Sequence, residues 1–334
     1  MKSVILKEFG GIGNLLIGKA PKPVPRSNEL LVKVKSFGLN RADILQRMGR
    51  YPPPPGESDL LGLEMSGIVV EDATGTFKKG DKVLGLVGGG GYGEYCTIAA
   101  SHAIPMPHHL TFEEAAAVPE AWLTAYQALF PLANYQKGDS VLIHAAASGV
   151  GTALIQLCKV SGAQTIIGTC GSDDKGDFIK SLGCTHTINY KTTESFYDSV
   201  KQITGGKGVN NVFDYVGPKY WNQNLKSLSM DGTMIIQGLL SGASVKENAD
   251  IGAILSKRLN IKGSTLRNRS EEYKTDLIQK FEKQFLNLFE TGALKPVVDK
   301  VFEVNDIQAA HEYLEGNHNK GKVIVRSFDF DKDL

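Results

Sequence analysis

The sequence predicts an α/β protein in two parts. A doubly wound parallel sheet occupies residues 121–265, and a β-rich domain is assembled from residues 1–120 and 266–334. Three observations predict it. Between residues 138 and 171 a strand, a small-residue turn, an amphipathic helix and a second strand follow one another, a βαβ signature of about 30 residues. Strand and helix patterns then alternate to residue 264. Before residue 121 and near the end of the chain, short apolar or alternating runs are separated by glycine and proline.

In chain order, the runs at 3–7, 29–37, 67–71, 82–87 and 93–98 read as strands, and helical pattern in this part is confined to short pieces such as 40–48. Tyr51-Pro52-Pro53-Pro54-Pro55-Gly56 is a stiff extended loop. Residues 122–132 read as a helix. In the βαβ unit 141–143 is a buried strand, and Val150, Leu154, Leu157 and Cys158 recur at one helical face. Gly162 stops that helix and 165–170 is the next strand. Strands at 185–189, 211–216, 233–238 and 259–264 alternate with helices near 194–203 and 220–228, which makes six parallel strands. A helix over 271–290 carries Tyr273, Leu277, Phe281, Phe285, Leu288 and Phe289 at core spacing, and strands at 297–302 and 323–325 return the chain to the β-rich part.

The totals exclude several classes. A chain of 334 residues, 42% hydrophobic and 22% charged, is globular with room for two domains, and its net charge of +1 supplies no field for nucleic acid. Cys96, Cys158, Cys170 and Cys184 form no C-x-x-C pair, which argues for a reducing, cytoplasmic setting and against disulfides or a structural zinc. Residues 1–9 read as a strand, not a signal peptide. The apolar segment 115–133 is interrupted by Pro119, Glu120 and Pro131, so no membrane span is expected. The terminal Lys332-Asp333-Leu334 matches no peroxisomal or retention signal.

The turn of the βαβ unit reads as a pyrophosphate seat. Small side chains let backbone N–H groups and the helix dipole approach an anion. Against G-x-G-x-x-G, Ala146 and Ser148 stand for the first two glycines and Gly151 is retained, with Gly149 and Val150 between. An NAD site places Asp or Glu at the tip of the second strand for the ribose 2′-hydroxyl. Here Thr169-Cys170-Gly171-Ser172 carries no carboxylate and Lys175 follows, which suits a 2′-phosphate and therefore NADPH. Asp173 and Asp174 are expected in the first turn of the next helix.

The chain resembles, over its full length, the zinc-independent quinone oxidoreductases of the medium-chain dehydrogenase/reductase superfamily, and within them the p53-inducible group. The resemblance is carried by Leu39-Asn40-Arg41-Ala42-Asp43, by Gln46-Arg47 with the Tyr51 proline loop, and by Leu61-Gly62-Leu63-Glu64. Ala115-Ala116-Ala117, Pro119-Glu120-Ala121-Trp122-Leu123-Thr124-Ala125, Ser148-Gly149-Val150-Gly151-Thr152, Ile188-Asn189-Tyr190-Lys191 and Gly321-Lys322-Val323 add to it. It implies a GroES-like fold for the β-rich catalytic domain and a Rossmann fold for the other. Where zinc-bearing relatives place a Cys and a His ligand, this chain has Asn40 and Leu63, so no metal is expected. The resemblance implies an NADPH-dependent quinone reductase that is a homodimer with 259–265 at the sheet edge. An enone or alkenal reductase is the alternative, and a non-catalytic NADPH-binding protein is the reading of another class.

Tyr51 is the expected acceptor-facing residue, with Asn40 and Asp43 orienting the nicotinamide or the acceptor. By resemblance, Thr124, Gly238, Leu239, Ser264 and Leu266 border the nicotinamide, and Tyr190 joins Ser172 and Lys175 at the 2′-phosphate.

Overall fold

A computed structural model describes residues 1–246 and 249–329; the terminal tripeptide 332–334 lies outside them. The chain divides into two compact units, Met1–Leu123 with Leu266–Leu334, and Thr124–Thr265.

Six parallel strands form the sheet of the second unit: Ser140–Ile143, Thr165–Cys170, His186–Asn189, Val209–Asp214, Leu228–Ile236 and Asn260–Gly263. Numbered along the chain, their spatial order is 3-2-1-4-5-6, and every pairing is parallel. The order reverses beside Ser140–Ile143, so the turn that follows this strand stands at the topological switch point, where such sheets take ligands. Leu142, Ile167, Val212 and Met234 are fully buried in the core of the sheet, as parallel strands covered on both faces require. The helix Gly149–Val160 is also more buried than its one-sided periodicity predicts. Every residue from Gly151 to Cys158 is enclosed, so it is apolar nearly all round because it lies inside the unit.

The first unit holds a seven-stranded sheet, antiparallel apart from the parallel pair Val298–Glu303 and Lys322–Arg326. Glu29–Gly38 is its central strand and pairs with Glu64–Asp72, Tyr95–Ala99 and Lys322–Arg326. Val4, Val32, Phe37, Met65, Tyr92 and Val323 pack its core.

Several elements lay below the sequence signal. The strands Leu15–Lys19 and Ala103–Pro105 are short, and the helices Phe112–Ala116 and Ile251–Lys257 have too few turns to show a period. The helix Ile307–Glu315 buries Ile307, Ala310, His311 and Leu314, a helical face in which a histidine and an alanine take core positions. The helix expected from residue 122 begins at Pro119, whose fixed φ suits a first turn, and runs to Gln127 before widening to a π-helical stretch at Ala128–Leu132. The long helix from Glu271 likewise passes through a π segment, Glu282–Leu286.

Candidate functional site

In the sheet unit, the chain leaves Ser140–Ile143 through Ala145, which has φ +46°, a conformation rare for a residue with a Cβ. Ala146 N donates to Thr169 O at 3.0 Å, which ties the turn to the next strand. Ser148 is the N-cap of the following helix: its Oγ accepts from Gly151 N at 3.1 Å. That fixes the role of the serine standing for the central glycine. The partly exposed Gly149 and Val150 form the first turn, and their N–H groups are the orphan donors of that helix end. A Cβ on Gly151 would lie 2.6 Å from Ala146 O and 2.7 Å from Ala145 O, so this position needs the absence of a side chain.

At the tip of Thr165–Cys170, Gly171 lies against Tyr190: a Cβ there would be 2.6 Å from the Tyr190 hydroxyl and 3.5 Å from Lys191 Cε. Ser172 is the N-cap residue of Asp173–Leu182 but makes no side-chain capping bond. Asp173 and Asp174 stand in the first turn, and Asp173 Oδ1 accepts from Asn189 Nδ2 at 2.9 Å. The structure therefore gathers Gly171, Ser172 and Tyr190, with Lys175 a turn along the helix, and adds Lys191. Lys191 was missed because its neighbourhood to Gly171 comes from strand pairing, not from sequence distance.

Thr124, Gly238 and Ser264 meet around Gln237, past the carboxyl ends of the strands. Gln237 Nε2 donates to Thr124 O at 3.2 Å, while its buried Oε1 has no partner. Ser264 Oγ donates to Gln127 Oε1 at 3.1 Å, and Ser264 N donates to Ile236 O at 2.9 Å. Leu239 is 53% exposed, which is a conspicuous placement for a leucine. Leu266 falls in the other unit and is buried. Beneath this end, the buried His144 bridges Thr169 Oγ1 at 3.0 Å and Asn224 Oδ1 at 2.7 Å, and Asn224 Nδ2 donates to Asp214 Oδ2. Burial pushes His144 below its ordinary pKa, and it links the strand Thr165–Cys170 to the helix Trp221–Ser227. The small-residue turn and the unpartnered amide acceptor of Gln237 fit a dinucleotide, with the acceptor suited to a carboxamide N–H.

The first unit carries a cluster of polar and charged side chains, most of them buried. Glu64 is fully buried. Its Oε1 accepts from Lys322 Nζ at 2.5 Å and Asn40 Nδ2 at 2.8 Å, and its Oε2 accepts from Glu120 N at 2.8 Å. Lys322 Nζ also donates to Asn40 Oδ1 and Leu39 O. Asn40 is thus bonded at both ends of its amide. Asp43 is held by backbone: Oδ2 accepts from Asn40 N at 2.8 Å and Oδ1 from Gly62 N at 3.2 Å. Burial raises Asp43 to about 6 against the lowering effect of the Asn40 N–H and of Lys322. Of the three residues expected to face an acceptor, Asn40 and Asp43 are therefore committed internally. Tyr51 keeps a hydroxyl with no hydrogen bond among the described residues. It is half-buried, and the Arg267 guanidinium sits 5.4 Å from its ring centroid.

Sequence reasoning assigned no role to Glu64, Glu120, Lys322 or Arg267. The available signal was a charged residue within an otherwise small or apolar motif, which marks position but not partner. Among the described residues no group of three or more His, Cys, Asp and Glu could hold a metal ion. No helix there is long and apolar enough to cross a membrane.

Residues 26–108 match the alcohol dehydrogenase GroES-like domain, and residues 149–283 match the zinc-binding dehydrogenase family. The chain is 32% identical over 340 residues to a zebrafish synaptic vesicle membrane protein VAT-1 homolog, covering 97% of this chain and 69% of the relative. It is 30% identical to the rat quinone oxidoreductase, covering 97% of both. Among solved structures, an NAD-dependent alcohol dehydrogenase is 31% identical with a TM-score of 0.86, over 98% of this chain and 99% of that one. The Escherichia coli quinone oxidoreductase complexed with NADPH is 30% identical with a TM-score of 0.87, over 98% of this chain and 100% of that one. Six parallel strands in this order, the small-residue turn and these full-length likenesses agree: the chain is an oxidoreductase of the medium-chain dehydrogenase/reductase superfamily.

Proposed function

We propose that the protein uses NADPH, without zinc, to reduce conjugated carbonyl acceptors, quinones first, as the zinc-independent quinone oxidoreductase branch of the superfamily does. The observation that carries this reading is the ammonium of Lys322 lodged between Asn40, Glu64 and Leu39 O. Around Asn40 the donor set is an amide and a carboxylate already neutralised by a cation. Such a set does not fit zinc, which takes nitrogen, sulfur or free carboxylate ligands in a near-tetrahedral array. Without a Lewis acid, an acceptor must need little activation, and quinones meet that condition.

NADPH supplies the hydride when bound. Gly149, Val150 and Gly151 would hold its pyrophosphate, Ser172, Lys175, Tyr190 and Lys191 its 2′-phosphate, and Thr124, Gln237, Gly238 and Ser264 its nicotinamide end. Tyr51, with a free hydroxyl and a ring braced by Arg267, would lie on the acceptor. The purified protein with 1,2-naphthoquinone, each nucleotide in turn and zinc analysis by atomic absorption tests the whole reading. Turnover with NADPH at zinc well below stoichiometric is expected, and stoichiometric zinc or a preference for NADH would reject it. Lys175→Ala is expected to weaken NADPH about 10-fold and NADH hardly at all, because removing one charge-assisted contact costs about 1.5–3 kcal/mol when buried and less at an exposed site. Equal effects on the two nucleotides in a binding titration would count against a 2′-phosphate at this end.

A homodimer is part of this reading. Asn260–Gly263 is an edge strand, and Ile251 and Leu255 on the preceding helix are 71% and 83% exposed. Sedimentation equilibrium is expected to give twice the chain mass, and Leu255→Asp to shift it toward one.

A further inference from the structure

The geometry points to Arg267 and Glu120 as the oxygen-handling pair of the acceptor site: Arg267 Nη1 donates a hydrogen bond to the acceptor's carbonyl oxygen, and Glu120 supplies the proton that completes its reduction. The inference deepens the NADPH-dependent carbonyl reading proposed above and rests on it.

Arg267 is 5% exposed. Its Nε and Nη2 both donate to Gly88 O, at 3.0 and 2.7 Å, which locks the guanidinium plane. Nη1 is buried and has no partner. Buried polar groups without partners are rare, and here the orphan belongs to a cation. The same guanidinium braces the Tyr51 ring, so the unused donor stands beside the residue expected to touch the acceptor. A planar fork held by one carbonyl with one arm unfilled is a preorganised site for an oxygen that gains negative charge.

Glu120 opens the helix Pro119–Gln127, and its own N–H is fixed on Glu64 Oε2. Its carboxyl makes no hydrogen bond among the described residues, and the residue is half-buried at the start of its helix. The charged groups that act on it are Glu64, Asp43, Lys322 and Arg267, and it acts in turn on Tyr51. Burial first, and the carboxylates of Glu64 and Asp43 next, raise it to about 8 against Lys322 and Arg267. It therefore carries a proton at neutral pH and gives it up only above that range.

The step balances. NADPH, when bound, would supply a hydride, its hydrogen forming a new bond to the acceptor and the cofactor being left as NADP⁺. The electron pair that arrives with the hydride ends on the conjugated carbonyl oxygen, where Arg267 Nη1–H meets it. The Glu120 O–H bond breaks and an O–H bond forms on the product, a hydroquinone or an enol. Glu120 then recovers its proton from water.

The test uses the full-length protein, NADPH, 1,2-naphthoquinone and the product-like ligand 1-naphthol. Glu120→Gln is expected to lower kcat about 100-fold, the usual scale for a lost general acid, and to abolish the fall of kcat above pH 8. NADPH affinity should stay within about twofold, since a group off the nucleotide makes no contact to lose. Arg267→Lys keeps the charge but loses the fork, and is expected to weaken 1-naphthol binding about 10-fold by calorimetry. Unchanged kcat and alkaline limb in Glu120→Gln, or unchanged naphthol affinity in Arg267→Lys, overturns the pair. If the wild-type protein reduces no carbonyl acceptor with NADPH, the functional reading falls instead, and the naphthol titration still decides Arg267.

Discussion

Lys322→Met is expected to lower the free energy of unfolding by about 3–5 kcal/mol, the scale for breaking a buried ion pair from one side. Glu64 is fully buried and Lys322 is 5% exposed, so neither charge finds water when the other is removed. Without the ammonium, the Glu64 carboxylate keeps only Asn40 Nδ2 and Glu120 N as donors. Asn40 Oδ1 and Leu39 O lose a donor at the same time. The loss also reaches Asp43 and Glu120, since Lys322 is one of the charges that lowers both, so both carboxyls should hold their protons to still higher pH. Urea denaturation at pH 7 measures the effect. The double variant Lys322→Met with Glu64→Gln should recover a large part of it, because the uncompensated charge is gone. A single-variant loss below about 1 kcal/mol would mean that the pair is solvated in a way its burial does not allow.

Gly151→Ala is expected to reduce dinucleotide affinity about 100-fold, the scale of losing one hydrogen bond to a charged group at about 1.5–3 kcal/mol. The added methyl would meet backbone, at 2.6 Å from Ala146 O and 2.7 Å from Ala145 O, and backbone cannot rotate aside. Relief requires the helix Gly149–Val160 to move away from the turn, and that carries the Gly149 and Val150 N–H groups off the anion. The helix is enclosed from Gly151 to Cys158, so the shift also disturbs the core, at about 1–3 kcal/mol for overpacking. Fluorescence titration with NADPH checks the first effect and thermal unfolding the second. An affinity within threefold of wild type would show that the turn yields more easily than its contacts indicate.

Much of the sheet unit was legible because its signals are local. A parallel strand buried on both faces is an uninterrupted apolar run, and 165–170 and Thr165–Cys170 coincide for that reason. The boundaries that moved are those where neighbours decide. Leu228–Ile236 begins before residue 233 because Leu228 pairs with Val209; the register then shifts before Thr233, and Asp231, at φ +61°, keeps the turn-like backbone that composition marks. The short helices Phe112–Ala116 and Ile251–Lys257 stayed below notice since fewer than two or three turns give no period to detect.

The small-residue turn was legible by composition, and its central serine acquired a role only in three dimensions, as the cap on Gly151 N. The polar cluster of the first unit was legible in part. Tyr51 stood out because a proline loop fixes an aromatic ring, and Asn40 and Asp43 stood out as polar residues in a motif. That both are consumed by internal bonds follows from Lys322 and Gly62, which lie 282 and 19 residues away from them.

The order of strands and helices, the small-residue turn after the first sheet strand and the missing carboxylate at the second strand tip are consequences of sequence alone, because each depends on residues adjacent in the chain. Which charges are buried together was decided by tertiary structure. Glu64, Glu120, Arg267 and Lys322 are far apart along the chain. Only the packing of the first unit brings them together, and so gives Glu64 and Lys322 each other as partners, Glu120 a raised affinity for its proton and Arg267 an unused donor.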